Sequence, residues 1–333
     1  MLMPLSVLDL SPIVSGSKDS EALTNTLNLA QVADRLGYTR YWLAEHHNIP
    51  SVASTAPEIM IGHVASVTSR IRVGAGGIML PNHAPLRIAE VFRVLEALHP
   101  GRIDLGLGRA PGSNPETALA LRRSKDRLTA DEFPELIAEL IYYLRSRDAK
   151  ASIQAIPRDV PSPPLWMLGS TEDGAEIAAS LGVGFAFAHH INPDSAEYAT
   201  QLYRSRFKAS VWLDRPRVIL ALSAICADSN SAAERLASSL ELAWVRLRSG
   251  NPGPFPTPEE ALNYEYNEWE KRLARAARAH FTAGTPAEVE TRLVALAERC
   301  QADELMVMTS AHSHAARVRS YELLAAEFKL EHA

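Results

Sequence analysis

The sequence predicts a single closed (β/α)8 TIM barrel of the α/β class, and three observations carry that prediction. Eight short runs of apolar, strand-forming residues alternate with longer helix-patterned stretches along all 333 residues, the arrangement that builds a parallel sheet from βα units. Eight such units call for a closed barrel, because a doubly wound open sheet usually uses fewer strands. Histidines, glycines, an asparagine and an arginine collect directly after the strand-like runs, where a barrel presents its functional loops. With 47% hydrophobic residues the chain also has apolar material for one large core.

Taken in order, the expected strands are Leu5 to Leu10, Tyr41 to Ala44, Ile71 to Leu80, Ile103 to Leu107, Leu165 to Leu168, Val183 to Ala188, Val218 to Ala227 and Glu304 to Met308. Amphipathic helices are expected between them at Leu23 to Leu36, Pro57 to Ser69, Pro85 to Leu98, Phe133 to Arg145, Asp173 to Leu181 and Glu234 to Arg248. Thr285-Pro286-Ala287-Glu288 marks another helix start, with a capping threonine, proline at the first helical position and glutamate three residues on. One segment breaks the rhythm. Asn251-Pro252-Gly253-Pro254-Phe255-Pro256-Thr257-Pro258 can be neither helix nor central strand, and Tyr264, Tyr266 and Trp269 follow it. It makes 249–283 an insertion between the seventh and eighth strands, read either as a linker to a surface helix or as a substrate lid. Residues 1–333 are otherwise one domain.

Composition excludes several kinds of function. A formal net charge of -5, with both signs interspersed, offers no basic stripe for nucleic acid and no polybasic anchor for a membrane. A small molecule is the expected ligand. Only Cys226 and Cys300 are present, far apart and outside any C-x-x-C arrangement, so a disulfide framework and a zinc ribbon are not expected. The N-terminus has no signal-like segment and no apolar stretch reaches the ~20 residues of a membrane span. A cytoplasmic protein is expected.

The polar residues behind the strands define the candidate chemistry. The second strand ends in Glu45-His46-His47, the third in Pro81-Asn82-His83, the fourth in Gly108-Arg109, the fifth in Gly169-Ser170-Thr171, the sixth in His189-His190-Ile191-Asn192 and the eighth in Thr309-Ser310. Any one of these could simply satisfy loop backbone groups; the pattern over several strands is what points to a site. Two of the loops suit an anion. Arg109 lies in Leu105-Gly106-Leu107-Gly108-Arg109-Ala110-Pro111-Gly112, where small residues allow phosphate near the backbone and the guanidinium can bind it bidentately. The alternative for Arg109 is an ion pair with a rim carboxylate. Gly169-Ser170-Thr171-Glu172-Asp173-Gly174 joins a strand to a helix N-terminus, whose free N–H groups favour phosphate. Ile78, Met79, Phe185 and Phe187 read first as barrel wall, and only some of them can face a ligand.

The segments Tyr41 to His47, Ile71 to Pro85, Pro100 to Arg109 and Ala283 to Pro286 resemble, in this order, the motifs of the bacterial-luciferase-like flavin-dependent monooxygenases, and they run nearly the length of the chain. The resemblance implies reduced FMN delivered by a separate NAD(P)H-dependent flavin reductase, in the two-component manner. It implies reaction with O2 to a C4a-(hydro)peroxyflavin and transfer of one oxygen atom to a small organic substrate. Carried over position by position, it implies that His46 is the acid/base beside the flavin and Glu45 its support. Arg109 would hold the FMN phosphate, with Ser170, Gly169 and Gly174 in the same phosphate loop. Gly76-Gly77 would form a non-prolyl cis peptide under the isoalloxazine ring. Asn82 and His190 would face the substrate. Gly108 stands where the light-emitting members carry cysteine, so a non-luminous member is implied. The resemblance also implies a homodimer packed through Pro57 to Ser69 and Pro85 to Leu98. Three other readings stay open: a deazaflavin (F420)-dependent oxidoreductase on the same barrel, a metal-dependent hydrolase using His46, His47, His189 and His190, and a non-catalytic flavin-binding subunit. No metal is expected, because neighbouring strand residues point to opposite faces.

Overall fold

The computed structural model describes residues 3–110, 112–122, 132–146, 148 and 150–330; the remainder of the expected 1–333 domain, Pro111 of the Arg109 loop included, lies outside the described residues. Among the described residues nine strands form: β1 (Leu5–Asp9), β2 (Arg40–Leu43), β3 (Arg72–Met79), β4 (Ile103–Gly108), β5 (Leu165–Gly169), β6 (Gly184–Ala188), β7 (Val218–Cys226), β8 (Phe281–Gly284) and β9 (Glu304–Met308). All but β8 stand within one residue of their expected bounds. All pairings between these strands are parallel, and β1 to β7 followed by β9 close into an eight-stranded barrel through β6–β7 and β9–β1 contacts. Helices cover the outside, including Asp19–Leu36, Pro57–Val67, Pro85–Leu98, Phe133–Arg145, Glu172–Leu181, Ala196–Arg206, Asn230–Arg248, Pro286–Arg299 and His314–Glu327. The expected capping residue is in place, with the Thr285 N–H and hydroxyl both donating to Glu288 Oε2 at 3.1 and 2.8 Å.

The ninth strand is a correction to the eight expected. Ser223 of β7 pairs with Met308 of β9 and also with Phe281 of β8. A strand has two edges, so β8 occupies the edge that β6 uses as far as Ala221. Only four residues long and bonded solely to the outer half of β7, it has no apolar run that a sequence pattern could register. The insertion that leads to it is tied down at its proline-rich start: Phe255 is buried, its N–H donates to the Ile13 carbonyl at 2.8 Å, and its carbonyl accepts from Ser15 N at 2.9 Å. These partners belong to the loop after β1, so the insertion reaches the C-terminal mouth of the barrel.

Strand alternation sorts the core into two layers. Outward residues, among them Val7, Tyr41, Leu43, Val73, Phe185 and Phe187, pack beneath the helices. Phe185 and Phe187 are therefore wall, as is Ile78. Inward residues form a smaller cluster of Leu8, Trp42, Trp166, Ala186, Ile219, Ala221 and Met306. The two indoles meet edge to face, 5.7 Å between centroids. They leave no volume for side chains opposite: a Cβ on Gly184 would stand 2.3 Å from Trp166, and one on Gly74 would stand 2.9 Å from Trp42 Nε1.

Below the indoles, the N-terminal end of the barrel is plugged by charge. Arg40 donates through Nη1 to Asp104 at 2.8 Å and through Nε to both oxygens of Glu304 at 2.8 and 3.0 Å. Asp104 also accepts from Trp42 Nε1 at 3.1 Å and from Arg72 Nη2 at 2.6 Å, while Ser6 donates to Glu304. Arg40 lies 5.0 Å from the centre of the Trp166 ring. Removing one member of such a buried set strands the others without partners. Asp104→Ala is accordingly expected to lower stability by about 3–5 kcal/mol, measured by denaturant unfolding; a loss under about 1 kcal/mol would show the network to be replaceable.

Candidate active site at the barrel mouth

The C-terminal ends of β2 and β3 meet around one carboxylate. Glu45 is fully buried. Its Oε1 accepts from His47 Nε2 at 2.8 Å, from His83 Nε2 at 2.9 Å and from Asn82 Nδ2 at 3.4 Å, and its Oε2 accepts from the Met79 N–H at 2.8 Å. Burial by itself would push the carboxyl up; the hydrogen bonds from His47 and His83, the His83 charge and the Met79 N–H outweigh it and hold Glu45 at about 2. His83 is raised in return: its burial disfavours the charge, and the bond and charge of Glu45 more than restore it. Glu45 thus organises the rim from beneath and has no oxygen left for the open side. His83 went unassigned in the sequence because its partner lies 38 residues away on another strand.

His46, next in the chain, is half-buried and faces differently. Its Nδ1 lies 3.3 Å from the Gly112 carbonyl. A carbonyl only accepts, so Nδ1 carries the hydrogen and Nε2 is left with a lone pair. Burial lowers the His46 pKa, and the Gly112 bond and the Glu45 charge recover only part of the loss, so the ring is neutral near pH 7. His190 on the far side repeats the pattern. Its Nδ1 lies 3.1 Å from the Ala221 carbonyl, and burial, followed by repulsion from His189, His46 and His280, brings it down to about 4. The mouth therefore presents two neutral imidazoles whose tautomers are both fixed by backbone carbonyls. His280 in the insertion donates from Nδ1 to the His190 carbonyl at 3.1 Å and stacks on Trp244 at 4.3 Å. It ties the insertion to β6, a link that no motif spacing could have announced.

The two loops expected to bind an anion do come together. Arg109 Nη2 lies 3.0 Å from Asp173 Oδ2, in the first turn of helix Glu172–Leu181. The rim ion pair weighed as the alternative for Arg109 is thus present, but both partners are largely in solvent, at 38% and 65% exposure, and such a pair is easily exchanged. The helix start carries no side-chain cap, so its first N–H groups are open, and the Ser170 hydroxyl has no hydrogen-bond partner among the described residues. An arginine, a free hydroxyl and uncapped helix N–H groups form a donor set that fits a phosphate group. Gly169 and Gly174 contribute otherwise. A Cβ on either would come within 3.1 Å of the other's Cα, so they let the helix start pack directly on β5. Asn192 steadies the loop by donating from Nδ2 to the Ser170 carbonyl at 2.8 Å.

Asn82 bridges the rim: besides Glu45, it accepts at Oδ1 from Arg122 Nε at 3.1 Å. The Gly76–Gly77 peptide is cis, as anticipated, and both residues lie on the inner wall, where a Cβ on Gly76 would meet Leu8 at 2.9 Å. Among the described residues no cluster of three or more histidine, cysteine, aspartate or glutamate side chains could hold a metal. Among the same residues no helix is long and apolar enough to cross a membrane.

Comparison with known proteins identifies the family. The profile of the luciferase-like monooxygenases matches residues 3–303. A luciferase-like monooxygenase of Escherichia coli (strain K12) is 43% identical over 318 residues, covering 96% of this chain and 95% of its own. The crystal structure of apo-MsnO8 superimposes with a TM-score of 0.90 at 36% identity over 99% of both chains. The oxygenating constituent of 3,6-diketocamphane monooxygenase from Pseudomonas putida, solved with FMN, shares the fold with a TM-score of 0.71 over 98% of both chains at 15% identity. With its motifs placed around one barrel mouth and its whole length covered by such relatives, the chain belongs to the luciferase-like monooxygenase family.

Proposed function

We propose that the protein is the oxygenase component of a two-component flavin monooxygenase, which takes reduced FMN from a separate NAD(P)H-dependent flavin reductase and transfers one atom of O2 to a small organic substrate. The observation that carries this reading is His46: a neutral imidazole at the mouth, with Nδ1–H committed to Gly112 and the Nε2 lone pair unengaged. When bound, the flavin supplies the reducing electrons and the activation of O2. Arg109, Ser170 and the first turn of helix Glu172–Leu181 hold its phosphate once Asp173 swings into solvent. Gly76 and Gly77 give the ring a wall without side chains. His46 Nε2 takes up or returns a proton beside the ring, and Glu45 positions the strand end that carries it. His190 and Asn82 face the substrate. The insertion, pinned at Phe255 and His280, keeps bulk water from the mouth.

The chain is further proposed to act as a homodimer. On helices Pro57–Val67 and Pro85–Leu98 the residues divide cleanly: Val64 and Leu95 pack inward, whereas Ile59 and Leu98 are 60% and 67% exposed, with Val67 and Val94 beside them at 40% and 46%. Exposed apolar residues grouped on adjacent helices suit a second copy of the same surface.

Arg109→Ala is expected to weaken reduced-FMN binding by about 1.5–3 kcal/mol in an anaerobic titration; an unchanged dissociation constant removes Arg109 from the phosphate site. The same titration with the deazaflavin F420 should show no comparable binding by the wild type. His46→Ala should keep FMN affinity and lower product formation by ~10²–10⁴-fold, with the oxygen consumed recovered as hydrogen peroxide. His46 acts in its neutral form and its pKa is lowered, so the acid limb of the wild-type rate profile should fall below pH 6.5; a limb above that value would assign the proton elsewhere. Ile59→Glu with Leu98→Glu should yield monomers by light scattering at micromolar concentration, and a monomeric wild type would dismiss the dimer.

A further inference from the structure

A second cleft, of about 530 Å3, lies between the loop after β6, strand β7 and helix Pro286–Arg299, and its lining includes neither Arg109 nor His46. It lies where β7 changes neighbours, since β6 leaves that edge after Ala221 and β8 takes it up at Ser223. Leu222, Ser223 and His189 are buried in its lining, and Phe281 and helix Pro286–Arg299 wall one side. Its volume is within the range of small-molecule sites.

Two features indicate what it binds. His189 is only 9% exposed, yet neither of its ring nitrogens has a hydrogen-bond partner among the described residues, and Nδ1 is shut off from solvent. Buried polar groups are rarely left so unless a ligand or ordered water completes them. Arg292 and Arg299, seven residues apart on one helix, line the cleft with Leu296 between them, and neither forms an ion pair or hydrogen bond among the described residues. Nearby arginines behave otherwise: Arg278 at the same opening is neutralised by Glu234 and Glu241. The acidic side chains of the cleft lining are Asp194 and Glu197, on the loop after β6 and the helix that follows it, while Glu288, one turn before Arg292 on its own helix, feels the Arg292 charge.

We infer that this cleft is a second small-molecule site, which takes an organic acid with a single anionic head against Arg292 and Arg299 and a short apolar body over Leu222, Leu296 and Phe281. A polar atom of the body reaches His189. The site is separate from Arg109 and His46, so it does not depend on the reaction proposed for the mouth.

Isothermal titration of the full chain with hexanoate and with butyl phosphate tests the inference. Saturable binding of either in the millimolar range or tighter is expected, and the one that binds identifies the head group. Arg292→Ala combined with Arg299→Ala should weaken it by ~10-fold or more, and the His189 ring resonances should shift with the same saturation. His46→Ala and Arg109→Ala should bind as wild type does. Absence of saturable binding by both acids, an unchanged constant in the double variant, or loss of binding in Arg109→Ala would each overturn it.

Discussion

The interaction on which the rest depends is the buried contact of Arg40 with Asp104 and Glu304. It joins the first turns of β2, β4 and β9 across the barrel axis, and through Arg72 and Ser6 it recruits β3 and β1. Taking these charges out of water is costly, and only a nearly complete set of partners makes it tolerable. Arg40 remains firmly protonated because the two carboxylates outweigh the desolvation that would otherwise lower its pKa. With this end closed and the two indoles packed edge to face above it, the opposite end is left as the barrel's opening.

At that end a carboxylate again does the organising, in a different manner. Asp104 and Glu304 close the barrel with guanidinium groups, whereas Glu45 gathers two imidazoles from two strand ends and a backbone N–H. Its low pKa means that it remains ionised through the neutral range, so the rim does not rearrange as His46 changes protonation. Positioning and proton transfer are thereby given to adjacent residues, Glu45 below the surface and His46 at it.

Much of this was legible in the sequence because strand and helix periods are local properties. The eight barrel strands, the capping box at Thr285 and the gathering of polar residues behind β2 to β6 all follow from neighbours within a few positions. What could not be read depends on distant partners. Gly169 and Gly174 look like a phosphate loop, but that they touch each other is a matter of how a helix lands on a strand. The joining of His83 to Glu45 requires knowing which face of β3 turns toward β2. The pairing of Arg109 with Asp173 likewise bridges two loops 64 residues apart. The short strand β8 was missed for the same reason, since its pairing is set entirely by where β6 ends.

That strand has a consequence for how the protein behaves among its own copies. A closed barrel has no free strand edges, except where one strand outruns its neighbour, and β7 does so by continuing to Cys226 after β6 has ended at Ala188. Uncovered, its last turns would offer a row of unpaired N–H and C=O groups, the template on which chains add to one another in β-aggregates. Phe281–Gly284 covers that row from within the same chain. The insertion is thus also a safeguard against self-templating, and a shortened version would keep that edge covered only if it still returned those four residues to β7.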